Sequence, residues 1–133
     1  MDSTRKELLI SMGFSEKAVS ILDEEINMGQ MENPTLTIKH QGSCGDILIL
    51  ALNNKNQTIG QAMYEYIGCA GLQACAPAMT ELVKGLTLSK AKAIDVQNIL
   101  DYLEGIPDMK YECAEIASDT LHKAIDQYEA KNV

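Results

Sequence analysis

Gly42-Ser43-Cys44-Gly45-Asp46 puts a thiol and a carboxylate two residues apart, directly ahead of the apolar run Ile47 to Leu52. Two later cysteines have similar settings, Cys69 in Gly68-Cys69-Ala70-Gly71 and Cys113 in Lys110-Tyr111-Glu112-Cys113. Each of these stretches falls at the edge of a predicted element. Thiolates are soft anionic ligands suited to zinc and to iron–sulfur clusters, whereas a carboxylate oxygen is hard. Three thiolates and Asp46 would make a four-donor site in which Asp46 is the replaceable member. No two cysteines form a Cys-x-x-Cys pair, so spacing alone leaves three readings open: ligands, reactive thiols, or cysteines buried in a core.

The elements that must position these residues come from a chain of 133 residues, 46% of them apolar, which is the size of one domain with a real core. With no Trp, one Phe and seven Met, that core rests on aliphatic residues and on methionine as gap filler. The formal net charge of -8 argues against nucleic acid, whose phosphates need clustered Lys and Arg, and favours solubility and a basic partner. The apolar runs are far short of a membrane span. Met1 to Lys6 lead into a short amphipathic pattern and not into the apolar segment of a signal peptide. The expected location is therefore cytoplasmic, where four cysteines stay reduced.

Residues 4–11 carry Leu8 and Leu9 at near-helical spacing, ended by Gly13. Ser15 is the predicted cap of a second helix holding Ala18, Val19, Ile21 and Leu22, and Asp23-Glu24-Glu25 marks its end. A loop from Asn27 to Pro34 leads to an alternating strand, Thr35 to His40, then to a buried strand, Ile47 to Leu52. Turn residues at 53–57 and a third strand, Thr58 to Ile67, complete a predicted antiparallel sheet; the alternation in 59–67 is imperfect. A helix is expected from Leu72 to Lys84, with Pro77 kinking it or delaying its start. A short helix follows to about Ala93, then one capped by Asp95 ending near Leu103, and a long one from about Tyr111 to Glu129. The predicted class is α+β, a three-stranded antiparallel sheet packed against helices, with a long C-terminal helix.

At Cys44-Gly45-Asp46, Gly68-Cys69 and Cys113 the chain resembles the IscU/NifU N-terminal family of iron–sulfur cluster assembly scaffolds. Phe14-Ser15-Glu16-Lys17-Ala18-Val19 is similar to that family's opening helix, and Ile26-Asn27-Met28-Gly29 to the stretch that follows it. Thr80-Glu81-Leu82-Val83-Lys84-Gly85-Leu86-Thr87 resembles its EWVKGKT segment, and Cys113 to Lys123 the start of its final helix. The likeness covers about residues 14–133, leaving 1–13 as an N-terminal extension of the single domain 1–133. It implies a scaffold and not an enzyme. It also implies a [2Fe–2S] cluster held by Cys44, Cys69, Cys113 and Asp46, with Asp46 as ligand or release gate and Lys110 as an auxiliary residue. The implied partners are a cysteine desulfurase supplying persulfide sulfur and apo acceptor proteins, with a homodimer as a further expectation.

The departures are specific. Glu112 stands where many relatives have His, which removes a histidine ligand and offers a carboxylate instead. Ile106-Pro107-Asp108-Met109-Lys110 keeps only part of the LPPVK segment offered to a dedicated Hsp70, which counts against that chaperone as a partner. The insertion of SufU-type zinc proteins between the second and third cysteines is missing, which counts against the rival reading of a Zn2+-bound persulfide acceptor. A second rival is an interaction module without metal. Cys75, on an apolar face with Met79 and Leu82, is expected in the core, and His40 and His122 on the surface.

Overall fold

A computed structural model describes residues 1–131; Asn132 and Val133 lie outside them. Helix α1 spans Ser3–Ser11 and is capped by Asp2, whose carboxylate accepts the Arg5 amide at 2.8 Å. Helix α2, Glu16–Glu24, starts at the expected cap: Ser15 Oγ accepts the Ala18 amide at 2.9 Å and donates to the Leu103 carbonyl. The helix stops at Glu25 in left-handed backbone, within the acidic run that opposes the helix dipole.

Strands β1 (Leu36–Gln41), β2 (Ile47–Lys55) and β3 (Thr58–Ile67) form an antiparallel sheet in the order β1-β2-β3. The second strand is longer than its apolar run. Asn53, Asn54 and Lys55 continue the ladder, and the turn is confined to Asn56 and Gln57, both with positive φ as a two-residue hairpin needs. The imperfect alternation of β3 also has a cause. Asn53 pairs with Gln61 but Asn54 with Ile59, so Gly60 is the extra residue of a bulge. Side-chain parity reverses there, so Ile59 and, beyond the bulge, Ala62 and Tyr64 are all buried.

The free edge of β3 is covered at both ends. Gly29 donates to Tyr64 O and the Tyr64 amide to Asn27 O (2.8 and 2.9 Å), while the Ile59 amide reaches Leu86 O at 2.9 Å. That covering blunts an edge that would otherwise recruit another strand.

Helix α3 spans Ala70–Val83 and keeps Pro77 in its interior. It starts earlier than expected, because burial overrides the lost amide: Ala74, Cys75, Ala76, Ala78 and Met79 are all fully buried around the proline. Helix α4, Leu88–Lys92, is capped by Thr87, and α5, Val96–Leu103, by an Asp95–Asn98 capping box. A 3-10 turn, Asp108–Lys110, feeds α6, Tyr111–Lys131. Helix α6 packs on α3 and on the inner face of the sheet, so the core is Leu48, Leu50 and Leu52 against Met79, Ile116, Leu121 and Ile125. Among the described residues no helix is long and apolar enough to cross a membrane.

Candidate metal centre

Three junctions of this framework meet at one end of the molecule. The turn Gly42–Asp46 joins β1 to β2 and carries Cys44 and Asp46; it is closed by Gly42 N–H to Asp46 O at 2.9 Å and Gly45 N–H to Gly42 O at 3.0 Å. Gly45 has φ of 91°, a left-handed conformation that a side chain would strain. Cys69 stands between β3 and α3, at the N-cap position. Cys113 is in the first turn of α6.

Among the described residues, Asp46, Cys69 and Cys113 offer one ligand atom each, all within 4.8 Å of one another. The sulfurs of Cys69 and Cys113 are 3.5 Å apart. Cys44 stands outside this group, exposed on its turn, though it lines the same open pocket. Exposure grades across the site: Cys69 and Asp46 are half-buried, while Cys113 is only 5% exposed.

Glycines make the approach possible. A Cβ at position 71 would fall 2.7 Å from Cys113 Sγ and 3.0 Å from Lys110 Cβ, and one at position 68 would fall 2.7 Å from Asp46 Oδ2. Bare backbone therefore lets the third cysteine and the carboxylate close on Cys69. The side chains that Gly71 admits are Cys113 and Lys110.

The two neighbouring thiols titrate in opposite directions. Burial pushes Cys69 up, but the Leu72 amide, the Cys113 thiol, the Gly71 amide and Lys110 together outweigh it and hold it below its ordinary value. The Leu72 and Gly71 amides face the Cys69 sulfur from the first turn of α3, where N–H groups favour a negative charge. Burial, then the hydrogen bond and charge of Cys69, then Asp46, push Cys113 up to about 12, against Lys110. Of the two, Cys69 is the more acidic thiol and Cys113 the one that holds its proton to higher pH.

The other expected residues fall as follows. Lys110 is half-buried, its stem packed where a side chain on Gly71 would be. Glu112 is exposed and accepts a 2.7 Å hydrogen bond from Ser43 Oγ. Cys75 is fully buried in the core, its thiol pushed well up by burial and by Cys113 and Cys69. His40 is half-buried near the end of β1. His122, expected at the surface, is also half-buried: its Nε2–H donates to the Ile94 carbonyl at 2.7 Å, because Leu121 and Ala124 beside it turn into the core. Ser43 is the functional neighbour that sequence reasoning missed; its only signal was its place beside Cys44. A second depression, on the outer face of the sheet under Gly29–Met31, has Ile49, Ala51 and Met63 in its lining with Glu65 as its one carboxylate, and no thiol.

Comparison with known proteins gives the family of the chain. The iron–sulfur cluster assembly scaffold protein IscU of Escherichia coli K12 is 30% identical over 125 residues, 90% of this chain and 97% of that protein. The IscU of Aquifex aeolicus is 28% identical over 124 residues, 92% of this chain and 74% of that protein. Among solved structures, the N-terminal part of a nitrogen-fixing NifU-like protein from Brucella abortus superposes with a TM-score of 0.73 at 20% identity, covering 92% of this chain and 99% of that one. The FiSufU protein of Fervidobacterium islandicum, named for the SUF system, gives 0.69 at 22% identity over 84% and 96%. Since the NifU-like N terminal domain also matches residues 14–133, nearly the whole chain, the chain belongs to that family.

Proposed function

We propose that this chain is a scaffold on which a [2Fe–2S] cluster is assembled as cargo and passed to acceptor proteins, held by Cys69, Cys113, Asp46 and Cys44. The observation that carries the reading is the convergence of two sulfurs and a carboxylate oxygen within 4.8 Å beside an exposed third thiol. This donor set fits the cargo: sulfur ligands for iron, and one oxygen that binds less tightly and favours release. The names of its relatives support it.

A cysteine desulfurase is the proposed sulfur source. A thiolate of the site attacks the outer sulfur of the enzyme's persulfide, that sulfur is transferred, and the desulfurase thiolate leaves. Reduction of the transferred sulfur to sulfide draws on an external electron donor. The surroundings of Cys69 favour its thiolate over that of Cys113, and Lys110 stands where it can balance that charge.

The same donors also suit zinc, so a zinc-bound sulfur acceptor is the second reading. Metal and acid-labile sulfide analysis, with a visible spectrum on protein purified anaerobically, separates the two. Iron and sulfide in equal amounts, with charge-transfer bands lost in Cys69→Ala, is the expected result. Zinc alone, persisting through anaerobic reconstitution, would replace the scaffold reading, and no metal at all would leave an interaction module.

A further inference from the structure

Cys44 is the one exposed cysteine of the site, carried on a turn and not at the end of a helix. Its turn is closed on itself by the Gly42–Asp46 and Gly45–Gly42 hydrogen bonds and stands at the end of the β1–β2 hairpin. Two contacts fix that turn against α6. Gly42 lies so close to the helix that a Cβ there would meet Ile116 Cδ1 at 2.5 Å. One turn earlier on the same helix face, Glu112 accepts the hydroxyl of Ser43 at 2.7 Å. Ile116 sets the distance of the turn from the helix, an apolar contact without directional preference. The Ser43–Glu112 bond is directional and lies one residue before Cys44.

We propose that Glu112 is a positioning residue: by accepting the Ser43 hydroxyl it latches the Cys44-bearing turn onto α6 and so sets how readily Cys44 joins Asp46, Cys69 and Cys113 on a metal. The inference rests on the metal-site reading above. It assigns Glu112 a role distinct from ligation, because its bonded oxygen is turned to Ser43.

Cobalt(II) is the probe, since its thiolate charge-transfer band reports how many sulfurs bind as well as how tightly. Ser43 and Glu112 are both exposed, so their variants leave the core intact. Cys44→Ala provides the reference for a site without that ligand. In titrations of the full chain under reducing, anaerobic conditions, Ser43→Ala and Glu112→Ala should each weaken cobalt binding roughly three- to tenfold, the scale of one ordinary solvent-exposed hydrogen bond. Their band intensity should fall towards that of Cys44→Ala. The double variant should be no weaker than either single one, and Ser43→Thr and Glu112→Gln, which keep a donor and an acceptor, should stay near wild type. Ser43→Ala matching wild type would overturn the latch, as would Glu112→Gln as weak as Glu112→Ala, which would make the carboxylate a direct ligand. A wild-type protein with no thiolate band in cobalt would remove the metal-site reading and the latch with it.

Discussion

Two sulfurs 3.5 Å apart cannot both hold a full negative charge without cost, and Cys69 and Cys113 divide the load unequally. Cys69 has amide dipoles and Lys110; Cys113 has burial and Asp46. In metal-free protein near pH 8, iodoacetamide should therefore modify Cys44 and Cys69 before Cys113, and the fully buried Cys75 last. Peptide mass spectrometry would read the order, and Cys113 reacting as fast as Cys69 would overturn the difference in acidity. The stability consequence of Cys113 has a definite sign. From its ordinary value up to about 12, the unfolded chain has lost the Cys113 proton and the folded chain retains it, so stability falls as pH rises through that window. Denaturant melts at pH 8 and 10 in reductant should show a steeper loss in wild type than in Cys113→Ala. Asp46 adds a like charge beside the same thiol. Asp46→Ala should lengthen the half-life of a bound cluster against chelator by roughly three- to tenfold, the size of a modest charge repulsion. Decay of the visible band measures it, and an unchanged rate would take Asp46 out of release.

The elements converge because their ends carry glycine where another side chain must enter. In α3 this produces a testable conflict. Alanine is the better helix former by about 0.8–1 kcal/mol, so Gly71→Ala favours the helix taken alone. Its Cβ, however, would fall 2.7 Å from Cys113 Sγ. The thiol can rotate away but Lys110 Cβ, 3.0 Å from the new methyl, must shift; set against the helix gain, the fold should change by about 1 kcal/mol while zinc or cobalt affinity falls roughly tenfold. Equal losses in stability and affinity would mean that Gly71 serves packing alone. Much at this scale was legible in the sequence, because caps and breakers act locally: Ser15 and Asp95 cap their helices as expected. What was not legible depended on contacts between distant segments. The bulge at Gly60 needs its partner strand, the early start of α3 needs the burial around Pro77, and the His122 bond needs Ile94 from another element. The site followed the same rule. Cys69, Cys113 and Asp46 carry their chemistry in their residue types and meet in space, whereas the Ser43–Glu112 bond joins positions 69 residues apart and neither residue announces it.

For the molecule as a whole, the donors come from the hairpin turn of the sheet, the strand-to-helix junction at Cys69 and the first turn of α6. A metal held there ties the sheet to the helical layer across most of the chain, and the unfolded chain has no such arrangement. Binding free energy then becomes folding free energy. At a free zinc concentration about a hundred times Kd, linkage gives about 2.7 kcal/mol, which for a chain of this size corresponds to a rise in Tm of roughly 8–15 °C. Calorimetry under anaerobic, reducing conditions should show that rise in wild type and its reversal by chelator. In Cys69→Ala it should be absent, because Cys113 and Asp46 alone leave the centre with one sulfur from the converged group. Cys44→Ala should retain part of it, since that thiol joins from an exposed turn and not from the packed framework. The reverse ranking, with Cys44 indispensable and Cys69 not, would mean that the metal is organised by the hairpin turn and that the convergence of the three junctions is incidental to binding.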